Sequence, residues 1–185
     1  TLDPEVELRC AYRDELLQQL ERHLRATRRP ALLLVGPPGA GKTALIHELA
    51  MRRTERQRRG QEPRRPQGEF WHLTPARLLA GMMYQGQWER RLEAILGHAQ
   101  AQDLVLWFDD LLGLTSAGRA SGTTLVMADL VKAAIDDGRC RLLGEITPGA
   151  LQVLRELQRA LADAFEIVAV PAADPHTTRR LLLHT

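Results

Sequence analysis

The sequence of 185 residues has few of the features that mark several common protein classes. It has only two cysteines, Cys10 and Cys140, which excludes a disulfide-stabilised scaffold and makes a reducing, cytoplasmic location the default expectation. Its longest unbroken apolar runs are residues 31–35 and 104–108, whereas a membrane-spanning helix needs about 20 such residues. Nothing near Thr1 resembles a secretory signal peptide. We therefore expect neither a secreted nor a membrane protein.

Lysine is also scarce, since only Lys42 and Lys132 among the 25 basic residues are lysines. An arginine-rich genome is the simple explanation. Because the compact ammonium of lysine and the planar guanidinium of arginine are not interchangeable, a lysine in this chain can also mark a place that needs a compact charge. The formal net charge of +2 is too small to indicate nucleic-acid binding. With 44% apolar and 26% charged residues, the chain has the composition of one globular domain with a buried core.

Short apolar segments alternate with segments of helical periodicity along the chain. This alternation predicts an α/β fold with a parallel sheet covered by helices on both faces. The predicted strands are residues 31–35, 69–73, 104–108, 141–146 and 165–170. The predicted helices are residues 12–26, 43–53, a short helix ending at 79, a helix ending near 100, and residues 124–136 and 148–162. No internal repeat and no second domain is evident.

An arginine-rich segment, residues 52–68, also contains prolines and glycines, and we expect it to form a surface loop. Such a segment could bind nucleic acid or an acidic partner. It lacks the interleaved aromatic residues that stack on bases, so nucleic acid is not the expected partner.

A glycine-rich stretch follows the first predicted strand and opens the next predicted helix. It fits the pattern G-x-x-x-x-G-K-[ST], in which backbone N–H groups and the helix amino terminus together bind phosphate. The ammonium would reach the β- and γ-phosphates and the hydroxyl would ligate Mg²⁺. A purely structural glycine-rich turn is the alternative, and the strand–loop–helix context disfavours it. The residues are Gly36, Pro37, Pro38, Gly39, Ala40, Gly41, Lys42 and Thr43.

Two adjacent carboxylates, Asp109 and Asp110, follow the apolar run 104–108. An acidic residue at the tip of a buried strand is the second metal ligand that a phosphate-binding loop requires. We assign Asp109 to Mg²⁺, through water, and Asp110 to orienting or deprotonating the attacking water. The alternative is an N-cap pair for a following turn, which competes poorly because adjacent carboxylates at a buried strand end are costly without cationic partners.

Two longer stretches carry a more specific resemblance. Residues 78–92 resemble L-x-A-G-x-[KR]-[YF]-x-G-x-F-E-x-R-[LV], and residues 128–147 resemble N-L-L-K followed by G-A-T-T. From about Tyr12 to Leu183 the chain is similar to the first ATPase module of Clp-type AAA+ unfoldases and disaggregases. The resemblance implies the large AAA+ subdomain of a P-loop NTPase, with sheet order 5-1-4-3-2. It also implies ATP and Mg²⁺ as cofactors, a homo-oligomeric ring and a protein client.

The resemblance also implies roles for individual residues. Tyr84 matches the pore-loop aromatic that grips a translocating chain, although it could instead fold onto the domain. Thr147 matches the sensor facing the γ-phosphate, and it could also be an N-cap. Cys10 and Ala11 match the adenine-side segment, but Tyr12 replaces the family's glycine there, and Cys10 could be a simple small hydrophobe.

Three departures from the family pattern bear on catalysis. Asp110 stands where the family has Glu, and its shorter side chain places the carboxylate farther from the water. Asp163 and Ala164 stand at the positions of the paired arginine fingers, and Arg155 or Arg159 could substitute for them from one or two helical turns back. A missing arginine finger can lower turnover by ~10³- to 10⁵-fold.

The third departure is Glu145, which replaces a small residue two positions before Thr147 and shares its face of the strand. We hypothesise that Glu145 lies near Asp110 and partly restores the missing carboxylate function. The alternative is a buried Glu145 paired with Arg141.

The sequence thus indicates one AAA+ nucleotide-binding module over residues 1–185, with only the start of the helical lid at 174–185. Because it does not begin with Met, we expect a fragment. The expected function is an ATP-driven motor that remodels protein, with slow hydrolysis. A nucleotide-dependent switch or assembly module with little turnover is the main alternative, and a nucleic-acid loader would depend on the arginine-rich segment alone.

Overall fold

A computed structural model describes residues 13–26, 29, 31–59, 69–82, 86–119 and 125–172. Helices and strands alternate through these ranges, as expected. The helices are α1 (Asp14–Arg25), α2 (Lys42–Arg58), α3 (Pro75–Leu79), α4 (Gln87–Gln102), α5 (Leu111–Leu114), α6 (Met127–Asp136) and α7 (Pro148–Asp163). The strands are β1 (Ala31–Val35), β2 (Phe70–Leu73), β3 (Val105–Phe108), β4 (Arg141–Ile146) and β5 (Glu166–Ala169).

The strands form one parallel sheet in the order β2-β3-β4-β1-β5. Read from its other edge, this is the predicted order 5-1-4-3-2, so the prediction is confirmed. β4 lies between β1 and β3, with Leu34 opposite Glu145 and Phe108 opposite Gly144. Because all strands are parallel, the loops that follow β1, β3 and β4 meet at one edge of the sheet, which is where ligands bind in open α/β folds.

Alternate side chains of each strand point to opposite faces of the sheet, and each face has its own helices. Leu32 and Leu34 of β1 pack with apolar residues of α1 and α2. Leu33 of β1 packs with apolar residues of α4, α5, α6 and α7 on the other face. The three inner strands β1, β3 and β4 are buried on both sides, which explains why β1 and β3 are continuous apolar runs rather than alternating ones.

The prediction of a loop from residue 52 is wrong for residues 52–58, because α2 continues to Arg58. Ion pairs stabilise the added turns: Arg52 lies 2.7 Å from Asp14 and 2.8 Å from Glu48, and Arg56 lies 2.7 Å from Glu21. Two of these acids belong to α1, so the arginines fasten α2 to its neighbour. Residues 60–68 lie outside the described ranges.

A short helix that the sequence pattern does not predict, α5, follows β3 and ends at Leu114. β1 and β4 have the predicted bounds, and most other bounds differ from the predicted ones by at most a few residues. Among the helices of the described ranges, none is both long and apolar enough to cross a bilayer.

Candidate functional site

The loop between β1 and α2 has the backbone that its glycines predict. Gly39 and Gly41 have φ of 74° and 78°, a region that residues with a Cβ rarely adopt. Gly36 is required for a different reason, because a Cβ there would lie 2.2 Å from the backbone oxygen of Val170. The loop therefore combines two left-handed residues with one close approach to the chain leaving β5.

Lys42 begins α2, and its side chain folds back over this loop. Its Nζ donates hydrogen bonds to the backbone oxygens of Gly36, at 2.9 Å, and Pro37, at 3.1 Å. A half-buried ammonium beside the amino end of a 17-residue helix favours an anion, since the first N–H groups of a helix lack partners within it.

The two acids after β3 have different partners. Oδ2 of Asp109 lies 2.9 Å from Nε2 of His72, which comes from β2. The Asp110 carboxylate instead accepts a 2.7 Å hydrogen bond from the backbone N–H of Gly113 and caps α5. The judgement against an N-cap is therefore wrong for Asp110. The short helix that follows it, which the sequence pattern did not predict, supplies the donor.

Glu145 reaches the site from β4 and binds the side chain of Thr43. The Thr43 Oγ1 lies 2.8 Å and 3.0 Å from the two carboxylate oxygens and donates its proton to them. Burial raises the pKa of the Glu145 carboxyl, Asp109 adds to the rise, and the Thr43 hydroxyl and Lys42 ammonium oppose it.

The alternative pairing of Glu145 with Arg141 is wrong. Arg141 lies 3.4 Å from Asp103 at the other end of β4. Four residues along a strand span roughly 13 Å, so the two side chains belong to opposite edges of the sheet.

Thr147 follows β4 and caps α7, accepting a 3.3 Å hydrogen bond from the backbone N–H of Ala150. Its predicted capping role is confirmed. Thr147 also borders the site, which is compatible with a sensor role in addition to the cap.

Lys42, the two aspartates, Glu145 and Thr147 line one cavity of about 300 Å³. Its lining combines one ammonium with three carboxylates and one hydroxyl, all at or next to the carboxyl ends of β1, β3 and β4. The hypothesis that Glu145 and Asp110 border the same space agrees with this lining. The lining residues are Lys42, Asp109, Asp110, Leu111, Leu112, Glu145, Ile146, Thr147 and Ala150.

Sequence reasoning missed His72. Its ring stacks on Trp107 with centroids 4.2 Å apart, and Trp107 also meets the ring of His47 edge-on at 5.6 Å. Burial, and then the neighbouring His72, lower the pKa of His47. No local pattern marks His72, because its place beside Asp109 follows from the pairing of β2 with β3, which sets His72 opposite Trp107.

Arg91 is a second residue that sequence reasoning left without a role. Its Nη1 donates to three backbone oxygens at the end of α3, those of Arg77 (3.3 Å), Leu78 (3.1 Å) and Ala80 (2.9 Å). Arg91 therefore connects α4 to the end of α3, from which the chain continues into the segment that contains Tyr84. Tyr84 itself, like Cys10, Ala11 and residues 174–185, lies outside the described ranges.

The positions that resemble arginine-finger sites lie at the end of α7. Asp163 is the last helical residue and Ala164 is the C-cap. Arg159 lies 3.3 Å from Asp163, and its side chain is 84% exposed. Arg155 is also exposed, and neither arginine lines the cavity.

The residues present fit a magnesium nucleotide. A Cβ added at Gly39 or Gly41 would meet nothing within 4 Å, so the loop leaves open space above its backbone. An ammonium and a helix amino terminus suit phosphate. The Thr43 hydroxyl and the Asp109 carboxylate supply the oxygen ligands that Mg²⁺ prefers.

Comparisons with known proteins agree with this geometry. Residues 9–184 match the family described as AAA ATPase domain. The chain is 32% identical over 169 residues to the chaperone protein ClpB of Aquifex aeolicus, covering 91% of this chain and 16% of that protein. It is 30% identical over 173 residues to ClpB of Bacteroides thetaiotaomicron, covering 92% of this chain and 20% of that protein.

A solved structure is also similar. In a closed-state cryo-EM reconstruction of Hsp104 with ATPγS and FITC-casein, the matching region has a TM-score of 0.74 and 25% identity, and covers 98% of this chain and 30% of that one. The chain thus spans a fifth or less of these ClpB proteins. The phosphate-binding loop, the sheet order and these matches together establish that the chain belongs to the AAA ATPase family, as a Clp-type AAA+ module.

Proposed function

We propose that this chain is the Mg-ATP-binding module of a Clp-like ring ATPase that remodels or unfolds protein chains. The observation that carries the proposal is the convergence of Lys42, Asp109, Glu145 and Thr147 on one cavity beside the loop 36–41. The similarity to ClpB, and to an Hsp104 structure whose description includes casein, supports a protein client and a homo-oligomeric ring.

Each residue has a role in the proposed site. Lys42 and the N–H groups of the loop bind the phosphates, and Thr43 and Asp109 would hold Mg²⁺. When bound, Mg²⁺ neutralises charge on the phosphate oxygens. Thr147 faces the γ-phosphate. Cys10 and Ala11 contact the adenine, and Tyr84 grips the client.

Asp110 and Glu145 share the task of orienting the attacking water. The shorter side chain of Asp110 and its hydrogen bond to Gly113 hold its carboxylate close to α5. A misplacement of about an ångström can lower a rate by ~100-fold. Glu145 offers a second carboxylate at the same cavity.

Slow hydrolysis is part of the proposal. Asp163 and Ala164 provide no guanidinium, and Arg159 forms an ion pair on the surface of its own helix. Since a trans arginine can contribute ~10³- to 10⁵-fold to turnover, we expect weak turnover even in an assembled ring.

The test is ATP binding and turnover by the full-length protein, with and without conditions that allow oligomerisation. Calorimetry should detect Mg²⁺-dependent ATP binding, and Lys42→Ala should abolish it. A full-length protein that takes up no adenine nucleotide in the presence of Mg²⁺ would contradict the proposal.

A second candidate is a nucleotide-dependent switch or assembly module. The absence of guanidinium groups at positions 163 and 164 favours it. Tyr84→Ala in the full-length protein separates the two functions, because a motor loses substrate processing while nucleotide binding stays intact. A switch keeps its nucleotide-dependent assembly in that variant.

A nucleic-acid loader finds less support. Arg52 and Arg56 of the arginine-rich segment are engaged by acids of α1 and α2. An ion pair of this kind leaves less free charge for phosphates. Binding of DNA or RNA at low salt by the full-length protein would reopen this possibility.

A further inference from the structure

We propose that Glu145 is a positioning residue that orients the Thr43 hydroxyl toward the metal of the nucleotide site. This role rests on the proposed Mg-ATP function and is separate from any part that Glu145 has in orienting water. The observation behind it is the contact of both Glu145 carboxylate oxygens with Thr43 Oγ1, at 2.8 Å and 3.0 Å.

A hydroxyl has one proton and two lone pairs. To ligate a cation it must direct a lone pair at the ion, so its proton has to point elsewhere. With the Thr43 proton directed at Glu145, the lone pairs are left for a ligand on another side of the oxygen. The same hydrogen bond can therefore persist while Thr43 ligates a metal.

Another threonine on the same helix shows what Thr43 does differently. Thr54 of α2 donates its hydroxyl proton to the backbone oxygen of Ala50, at 3.0 Å. This local bond within one helix is a common choice for threonine. Thr43 instead donates across to another element, 102 residues along the chain. An acceptor brought in by tertiary structure thus fixes its rotamer.

The acceptor itself is held firmly. Glu145 lies on β4, which is hydrogen-bonded to β1 on one side and β3 on the other. Its Cα is paired with that of Leu34 in β1, directly before the phosphate-binding loop. Groups that hold a metal ligand work best when they stand on a rigid element, and a central strand is such an element.

A positioning role and a base role make different demands on Glu145. Positioning requires an acceptor oxygen, which the side-chain amide of glutamine also provides. A base requires a carboxylate, which glutamine lacks. Glu145→Gln therefore restores metal-dependent binding under the positioning role even if it lowers hydrolysis.

The experiment is calorimetric binding of ATPγS to the full-length protein, in Mg²⁺ and in EDTA. The variants are Glu145→Ala, Glu145→Gln, Thr43→Ala and the double variant Thr43→Ala/Glu145→Ala. We expect Glu145→Ala to weaken binding in Mg²⁺ by ~10- to 100-fold, as for other groups that hold metal ligands. The double variant should be no weaker than Thr43→Ala alone, and Glu145→Gln should recover most of the affinity. Binding in EDTA should be equally weak in all of them.

Thr54→Ala and Glu55→Ala are the matched controls, since both side chains are exposed on α2 and the ion pair of Glu55 with Arg59 is exposed as well. Glu145→Leu keeps the side-chain bulk without an acceptor and serves if Glu145→Ala does not fold. Two results would overturn the positioning role of Glu145 while leaving the proposed Mg-ATP function intact. One is a double variant whose loss of affinity is the product of the losses in Thr43→Ala and Glu145→Ala. The other is a Glu145→Gln variant that binds as weakly as Glu145→Ala. A native protein that does not bind Mg-ATPγS overturns the proposed function and this inference together.

Discussion

His72 Nε2 lies 2.9 Å from Asp109 Oδ2 while its ring stacks on Trp107. The two atoms are close, but their geometry is not that of a well-directed hydrogen bond. The contact joins β2, one of the two edge strands of the sheet, to the carboxylate proposed to hold Mg²⁺. Each of the two proposed metal ligands is thus contacted by a side chain from a strand: Thr43 by Glu145 of β4 and Asp109 by His72 of β2.

Replacing His72 by Phe should keep the stack on Trp107 and remove the contact with Asp109. We expect the Mg²⁺-dependent affinity for ATP to fall by ~10-fold, the lower end of the effect for groups that hold metal ligands. Calorimetry at several Mg²⁺ concentrations measures this. His98→Phe is the matched control, because His98 of α4 also stacks on a tryptophan, Trp71, with centroids 5.2 Å apart. Unchanged affinity in His72→Phe would mean that Asp109 needs no such neighbour.

Replacing Asp110 by the longer Glu should raise ATP turnover and lower the stability of the fold. The longer carboxylate reaches farther into the cavity, and a gain of up to ~100-fold in ATP turnover is expected if placement limits the rate. The same change disturbs the cap on Gly113, which costs about 0.5–2 kcal/mol in the free energy of unfolding.

Turnover assays and urea unfolding of the full-length protein measure the two effects of Asp110→Glu. Asp137→Glu, at the C-cap of α6, is a control that should change neither quantity appreciably. A variant with lower turnover than the native protein would refute the idea that Asp110 is too short.

Gly36→Ala should destabilise the fold, because the new Cβ would lie 2.2 Å from the backbone oxygen of Val170. Forcing an atom into such a packed position typically costs about 1–3 kcal/mol. Gly149→Ala is the matched control: its Cβ would meet nothing within 4 Å, in the first turn of α7. Gly149→Ala should be neutral or stabilising by about 0.4–1 kcal/mol. Equal urea midpoints for the two variants would contradict the close approach.

Cys140 should resist alkylation in the native protein at neutral pH. It is 2% exposed, and burial raises its pKa to about 11 despite the opposing charges of Arg139 and Arg29. The thiolate is the reactive form, so little of it is present below that pKa. Mass spectrometry after iodoacetamide treatment should find the Cys140 peptide unmodified, and modified once urea unfolds the chain. Rapid labelling without urea would indicate that the structure opens locally around Cys140, directly before β4.

Much of the fold, and the phosphate-binding loop of the site, could be predicted from local patterns in the sequence. Three features could each be predicted from a few neighbouring residues. They are the phosphate-binding loop with its glycines at 36–41, the buried strands β1 and β3, and the helix cap formed by Thr147 before Pro148. Such signals are readable without coordinates because backbone conformation and capping are set within one turn or one strand. The sheet order came from the family resemblance rather than from these patterns.

The partners of the acids were decided only by tertiary structure. Glu145 meets Thr43 and Arg141 meets Asp103, because β4 is long enough to carry its two ends to opposite edges of the sheet. The contact of His72 with Asp109 depends on which residues β2 and β3 set opposite each other. Which charged side chains pair across distant segments depends on the register of neighbouring strands and on the distances between side chains in the folded protein. Neither can be derived directly from composition or from spacing along the chain. The sequence thus determined that the chain has a phosphate-binding loop and an acidic strand end. The packed sheet determined which side chains contact the residues of these two elements.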